Sequence, residues 1–124
     1  MIPVEPLAIR AELARVLASP GFAHNDRLSR FLRFVVERHL EGRDDEIKES
    51  VIGVEVFNRR SDFDPRQDSV VRTEAARLRS RLGEYYAGPG RSSTLRIEIP
   101  KGGYTPVFKL VGPRGESPRR PTRR

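Results

Sequence analysis

The segment RLSRFLRFVVERHLEG, residues 27–42, constrains this chain more than any other. Its patterned apolar residues are Leu28, Phe31, Leu32, Val35, Val36 and Leu40. That series follows i, i+3, i+4, i+7, i+8 and i+12, which only a 3.6-residue period places on one face. The spacing therefore predicts a long amphipathic helix. Asn25 or Asp26 is suited to cap its start, and Gly42 its end.

Before it, EPLAIRAELARVLAS (residues 5–19) reads as a shorter helix, with Leu7, Ala11, Leu13, Ala14 and Leu17 toward one side. Pro20 and Gly21 end it. After it, DDEIKESVIGVEVFN is ambiguous. Ile47, Val51 and Val54 fit a helical face, whereas Ile52, Val54 and Val56 fit a strand. A polar loop follows at 58–68, with Phe63 tucked beneath it.

A further helix is expected over 69–86, capped by Asp68 or Ser69. Val71, Ala75, Leu78, Leu82 and Tyr85 would form its buried stripe. Past the loop at 89–93, TLRIEIPKGGYTPVF reads as two strands around PKGG. Leu95, Ile97 and Ile99 alternate with Arg96 and Glu98, as a half-buried strand requires. Leu28, Phe31, Leu32, Val35, Leu78, Leu82, Ile97 and Tyr104 are expected in one core. Residues 112–124, rich in Pro, Gly and Arg, have the composition of a disordered basic tail.

Charge separates the two halves. Residues 1–60 carry 10 Lys/Arg and 10 Asp/Glu, whereas residues 61–124 carry 14 against 7, the whole net charge of +7. A surface in the second half is suited to a polyanion. Projected at about 100° per residue, the helix 69–86 turns Arg72, Thr73, Ala76, Arg77 and Ser80 away from its buried stripe, with Arg79 and Arg81 on the flanks. Arginine can donate two bonds to a guanine edge, and threonine or alanine can meet a thymine methyl. Flanking arginines reach phosphates. Lys101 then sits at a tight turn, with Gly102 and Gly103 supplying backbone freedom. A solvated arginine-rich helix is the plain alternative.

Two motifs carry a resemblance. VVRTEAARLRSRL is similar to the recognition helix of the OmpR/PhoB-type winged-helix regulators, matching at Arg77, Leu78, Arg79, Arg81 and Leu82. LRIEIPKGGY resembles their wing, with Lys101, Gly103 and Tyr104 matching and the turn one residue shorter than the commonest form. The likeness spans residues 27–106. It implies a mainly α fold with a C-terminal β-hairpin: a winged helix-turn-helix with an extra N-terminal helix. It makes residues 27–42 the first helix of the motif and puts the second in the ambiguous segment, with a short strand at Glu46–Lys48.

The organisation that follows is an N-terminal helix or arm (1–24), a winged helix-turn-helix domain (25–111) and the basic tail. The function implied is sequence-specific binding of double-stranded DNA in transcription regulation. The helix 69–86 would lie in the major groove, and the wing 94–108 on backbone or minor groove. The DNA-binding residues implied are Arg72, Thr73, Ala76, Arg77, Ser80, Arg79, Arg81, Lys101 and Gly102. The chain departs from the family in beginning with a helix where those regulators have a small β-sheet, and in carrying no receiver domain. Related modules also head larger sensory or repeat-containing proteins. The rival is a winged helix that binds protein rather than DNA, and the first 24 residues are compatible with a homodimer.

Other chemistry has little footing. The chain has no cysteine, which excludes disulfides and cysteine-based zinc sites. His24 and His39 lack metal-ligand spacing, and Asp62, Asp64 and Asp68 lack the glycine and closing glutamate of a calcium loop. GPGRSS lacks the lysine of a phosphate-binding loop. Tyr85 and Tyr86 are expected to pack rather than stack on bases. No nucleophile motif, cofactor or small-molecule substrate is evident, so no enzyme is expected. No apolar run reaches the roughly 18 residues of a membrane span. The N-terminus has no basic stretch before an apolar core, so a cytoplasmic location is expected.

Overall fold

A computed structural model describes residues 4–111. The chain is mainly helical and ends in a two-stranded antiparallel hairpin. The elements run α1 (Pro6–Ala18), α2 (Pro20–Ala23), α3 (Asp26–Leu40), a 3₁₀ turn (Asp44–Glu46), α4 (Glu49–Glu55), α5 (Val70–Ala87), β1 (Leu95–Glu98) and β2 (Val107–Leu110). The basic tail expected at 112–124 lies outside the described residues.

Helix α3 supplies the centre of the core. Leu28, Phe31, Leu32, Val35 and Val36 are all buried, as the spacing requires. Asn25 caps it, its Oδ1 accepting from the Leu28 N–H at 3.1 Å. Past its end Gly42 takes φ 74°, a left-handed value that side chains with a Cβ resist. Phe31 meets the Phe57 ring edge-on at 5.5 Å and lies 6.3 Å from Tyr104, so α3 touches both the loop before α5 and the hairpin. From α5, Val71, Ala75, Leu78, Leu82 and Tyr85 are buried, and from β1, Leu95 and Ile97. Of the expected core, only Tyr104 is half-exposed rather than buried.

The ambiguous segment is a helix from Glu49 to Glu55, despite its β-branched residues and Gly53. Phe63 explains the glycine. A Cβ at Gly53 would lie 2.3 Å from Phe63 Cε2, so the ring from the following loop seats directly on the helix backbone. That loop turns at Asn58, with φ 57°, a conformation asparagine tolerates.

Two local expectations are corrected. Glu46–Lys48 is not a strand. The Glu46 carboxylate takes hydrogen bonds from Arg43 Nε and Nη2, both at 2.8 Å, and from Arg38 Nε at 3.1 Å, and the chain there winds into the 3₁₀ turn. The hydrogen bonds from Arg43 chiefly hold the Glu46 pKa below the ordinary carboxylate range. Second, α1 is rotated. It buries Ile9, Glu12, Leu13 and Val16, leaving Ala11 and Ala14 exposed and Leu7 81% exposed.

A polar trio fixes that rotation. Tyr86 Oη donates to Glu12 Oε2 at 2.8 Å and accepts from the Ile97 N–H at 2.9 Å. Arg15 donates to the other carboxylate oxygen from Nε at 3.0 Å and Nη2 at 2.7 Å. A buried carboxylate without such partners would be strongly unfavourable. The trio ties α1 to α5 and to the first strand of the hairpin, and α1 shares the core of the other elements.

Candidate nucleic-acid interface

Helix α5 begins where Asp68 fixes the chain. Asp68 Oδ1 accepts from the Val70 N–H at 3.0 Å, and Arg59 Nε donates to Oδ2 at 2.7 Å. The hydrogen bond from Arg59 is the main reason the Asp68 pKa is lowered. From this start the inward stripe forces the opposite face outward. Arg72, Thr73, Ala76, Arg77 and Ser80 are all exposed. Thr73 Oγ1 lies 3.5 Å from Ser69 Oγ.

The arginines fall into two groups. Arg72 Nη1 donates to Glu49 Oε2 at 2.8 Å and to the Pro65 carbonyl at 3.1 Å. Arg77 Nη1 donates to Glu74 Oε2 at 3.1 Å. Glu74 is buried on α5, and Arg27 of α3 reaches the same oxygen at 3.3 Å. Arg72 and Arg77 are thus held by carboxylates, yet their side chains stay 50% and 64% exposed.

Arg79 and Arg81 instead hold main-chain carbonyls. Arg79 donates from Nε to Ile99 at 2.8 Å and from Nη2 to Pro100 at 3.3 Å and Gly103 at 2.8 Å. It ties the hairpin turn to the helix. Arg81 Nη1 donates to the Gly21 carbonyl at 2.7 Å, joining α5 to α2. Both are half-buried.

The hairpin pairs Leu95 with Leu110, Arg96 with Lys109, Ile97 with Phe108 and Glu98 with Val107. Its turn presents Lys101, Gly102 and Gly103 to solvent. Gly102 has φ 94°, so the turn depends on glycine there. Between turn and helix lies a cleft of about 480 Å³, lined by Glu49, Arg72, Arg79, Lys101, Gly102, Gly103 and Tyr104. The Tyr104 pKa is raised, first by burial and then by the charge of Glu49.

The structure therefore brings Arg72, Arg79, Lys101 and Gly102 around one cleft. Thr73, Ala76, Arg77 and Ser80 continue along the open face, and Arg81 lies apart toward α2. Sequence reasoning missed Glu49 and Glu74. Glu74 had a signal, since it precedes Arg77 by three residues on a helix, the spacing of side-chain pairs. Glu49 is 23 residues from Arg72, and only tertiary structure joins them.

Among the described residues, no group of three or more His, Asp and Glu could hold a metal ion. No described helix is long and apolar enough to cross a membrane. In comparisons with family models, curated proteins and solved structures, the chain matches none.

Proposed function

We propose that this chain is a winged-helix module that binds duplex DNA sequence-specifically, in the service of transcription regulation. One observation carries the reading. Arg72 and Arg79 of α5 share one cleft with Lys101, Gly102 and Gly103 of the hairpin turn, and from Arg72 the exposed residues Thr73, Ala76, Arg77 and Ser80 continue along the helix. A helix fits the major groove, which is about 12 Å wide, and the base edges there carry a distinct donor and acceptor code. Arg72 and Arg77 supply donors, Thr73 and Ala76 supply small apolar contacts, and Ser80 supplies a hydroxyl. Lys101 meets the adjacent backbone or minor groove, with Gly102 letting the turn approach closely.

Arg79 and Arg81 act mainly through the protein itself. Arg79 holds the wing against α5, and Arg81 holds α2. Both still add positive charge behind the contact surface.

The test is binding across a salt series, on a duplex selected from a random pool and on a scrambled one. Arg72→Ala, Arg77→Ala and Lys101→Ala together should abolish preference and weaken both duplexes. Lys101→Ala alone should weaken both about equally and shallow the log–log salt slope by about 0.9, one phosphate's worth. Unchanged affinity in the triple variant would refute the reading.

A further inference from the structure

We propose that Glu49 positions Arg72 to read a guanine, by leaving it only one edge of its guanidinium to offer a base. The inference rests on the DNA-binding reading above. Glu49 opens α4, and its side chain is mostly buried at 21% exposure. Arg72 is the third residue of α5, in the first turn. In helix-turn-helix docking, the N-terminal residues of the recognition helix contact base edges.

A guanidinium has five N–H donors. Nη1 of Arg72 carries two of them, and its two acceptors are Glu49 Oε2 and the Pro65 carbonyl. Among the described residues, Nε and Nη2 of Arg72 have no protein partner. The Nε–H and one Nη2–H run parallel, and this fork matches the O6 and N7 acceptors of guanine. Adenine keeps N7 but offers an N–H donor at the second position, so the same fork rejects it. Two anchors from different segments, α4 and the loop before α5, fix the guanidinium plane before DNA arrives. Ordering the side chain in advance removes part of the entropy cost of binding.

Glu49 also opposes DNA. Its carboxylate lies in the cleft beside the wing, where it repels phosphate. Removing it should therefore act in two directions: weaker discrimination at one base, but tighter binding to duplexes in general. A residue needed only for folding would not produce that pair of effects.

The experiment uses the full chain and a fluorescent duplex chosen by selection from random sequence. Each guanine is replaced singly by adenine, by 7-deazaguanine, which lacks N7, or by inosine, which keeps O6 and N7. For the unmodified protein, adenine at one position should weaken binding about 5- to 150-fold. At that position 7-deazaguanine should weaken it by a part of this, and inosine should change it little. Arg72→Ala should erase these differences. Glu49→Ala should reduce them while tightening binding to a scrambled duplex, and Glu49→Gln, which keeps an acceptor, should preserve more of the preference than Glu49→Ala.

If Glu49→Ala tightens every duplex alike and the guanine preference persists, Glu49 is not a positioning residue. If Arg72→Ala weakens all duplexes equally, the arginine lies on phosphate and the inference fails. Salt-dependent binding with no enriched sequence would overturn the inference and the sequence specificity proposed above, while leaving duplex binding itself standing. No binding to any duplex would overturn the DNA-binding reading with it.

Discussion

Tyr86→Phe removes a single oxygen that serves two buried partners, and its effect follows from the geometry. The hydroxyl donates to Glu12 and accepts from the Ile97 N–H. Burial pushes its pKa well above the ordinary tyrosine range, so it remains a donor wherever the fold persists. The ring of phenylalanine fills the same space, so no cavity term enters. The Ile97 N–H would lose its partner, at about 1–3 kcal/mol, and Glu12 Oε2 would lose its donor at a comparable or larger cost because it is charged. Arg15 still holds Oε1, which limits the second loss. The expected total is about 3 kcal/mol, a fall in Tm on the order of 15 °C for a domain of this size. Urea melts give the quantity directly, provided the slope m is unchanged. Glu12→Leu combined with Tyr86→Phe should cost less than the two single losses added together, because the pair shares one hydrogen bond. A Tyr86→Phe protein within about 0.5 kcal/mol of the parent, the range of an ordinary surface substitution, would refute the trio as the anchor of α1.

Two further outcomes are expected. Alanine at a helix interior gains about 1 kcal/mol over glycine, but Gly53→Ala should be net destabilising, since its Cβ would meet the Phe63 ring and overpacking costs roughly 1–3 kcal/mol. In a Phe63→Ala background the same change should stabilise, and a thermal melt showing stabilisation with Phe63 intact would refute the close approach. Asp68 has a lowered folded pKa, so its contribution is present above the unfolded value of about 3.9 and is lost as pH falls through the folded value. Asp68→Asn should therefore lose less stability than the parent on acidification from pH 5 downward, and parallel acid melts would show that the Arg59–Asp68 pair does not report on folding.

Much of this fold was legible where residue spacing alone decides the outcome. Helix α3 has one apolar face and no competing one, so its buried residues could be read directly. Strand β1 alternates without exception. Helix α1 could not be read in that way, because Leu7, Ile9, Ala11, Leu13, Ala14, Val16 and Leu17 spread over more than half of its circumference. Its rotation is set by Tyr86, a residue 74 positions from Glu12. Burial of an acidic residue contradicts the usual sequence pattern and can be seen only when its partners are known. At 49–55, periodicity left helix and strand open. Phe63 supplied the missing fact, since a ring packed onto Gly53 explains a glycine that propensity alone counts against a helix.

The candidate site divides along a similar line. Helical projection correctly turned Arg72, Thr73, Ala76, Arg77 and Ser80 outward, and it placed Arg79 and Arg81 on the flanks. Projection cannot say what an arginine holds, and here the partners separate the four. Arg79 and Arg81 donate to carbonyls whose other role is to shape the chain. A phosphate could take those donors only by loosening the hairpin turn or α2. Arg72 and Arg77 each donate from a single nitrogen, Arg72 to Glu49 and the Pro65 carbonyl and Arg77 to Glu74, which leaves the rest of each planar fork available. An anion that approaches them need not disturb the backbone. Two arginines build the surface and two are presented on it, although all four lie within ten residues of one helix. Glu49 and Glu74 mark the presented pair. Under the DNA-binding proposal, a carboxylate beside a cation on that face weakens general attraction to polyanion, and it gives back a fixed orientation, the property that base discrimination requires.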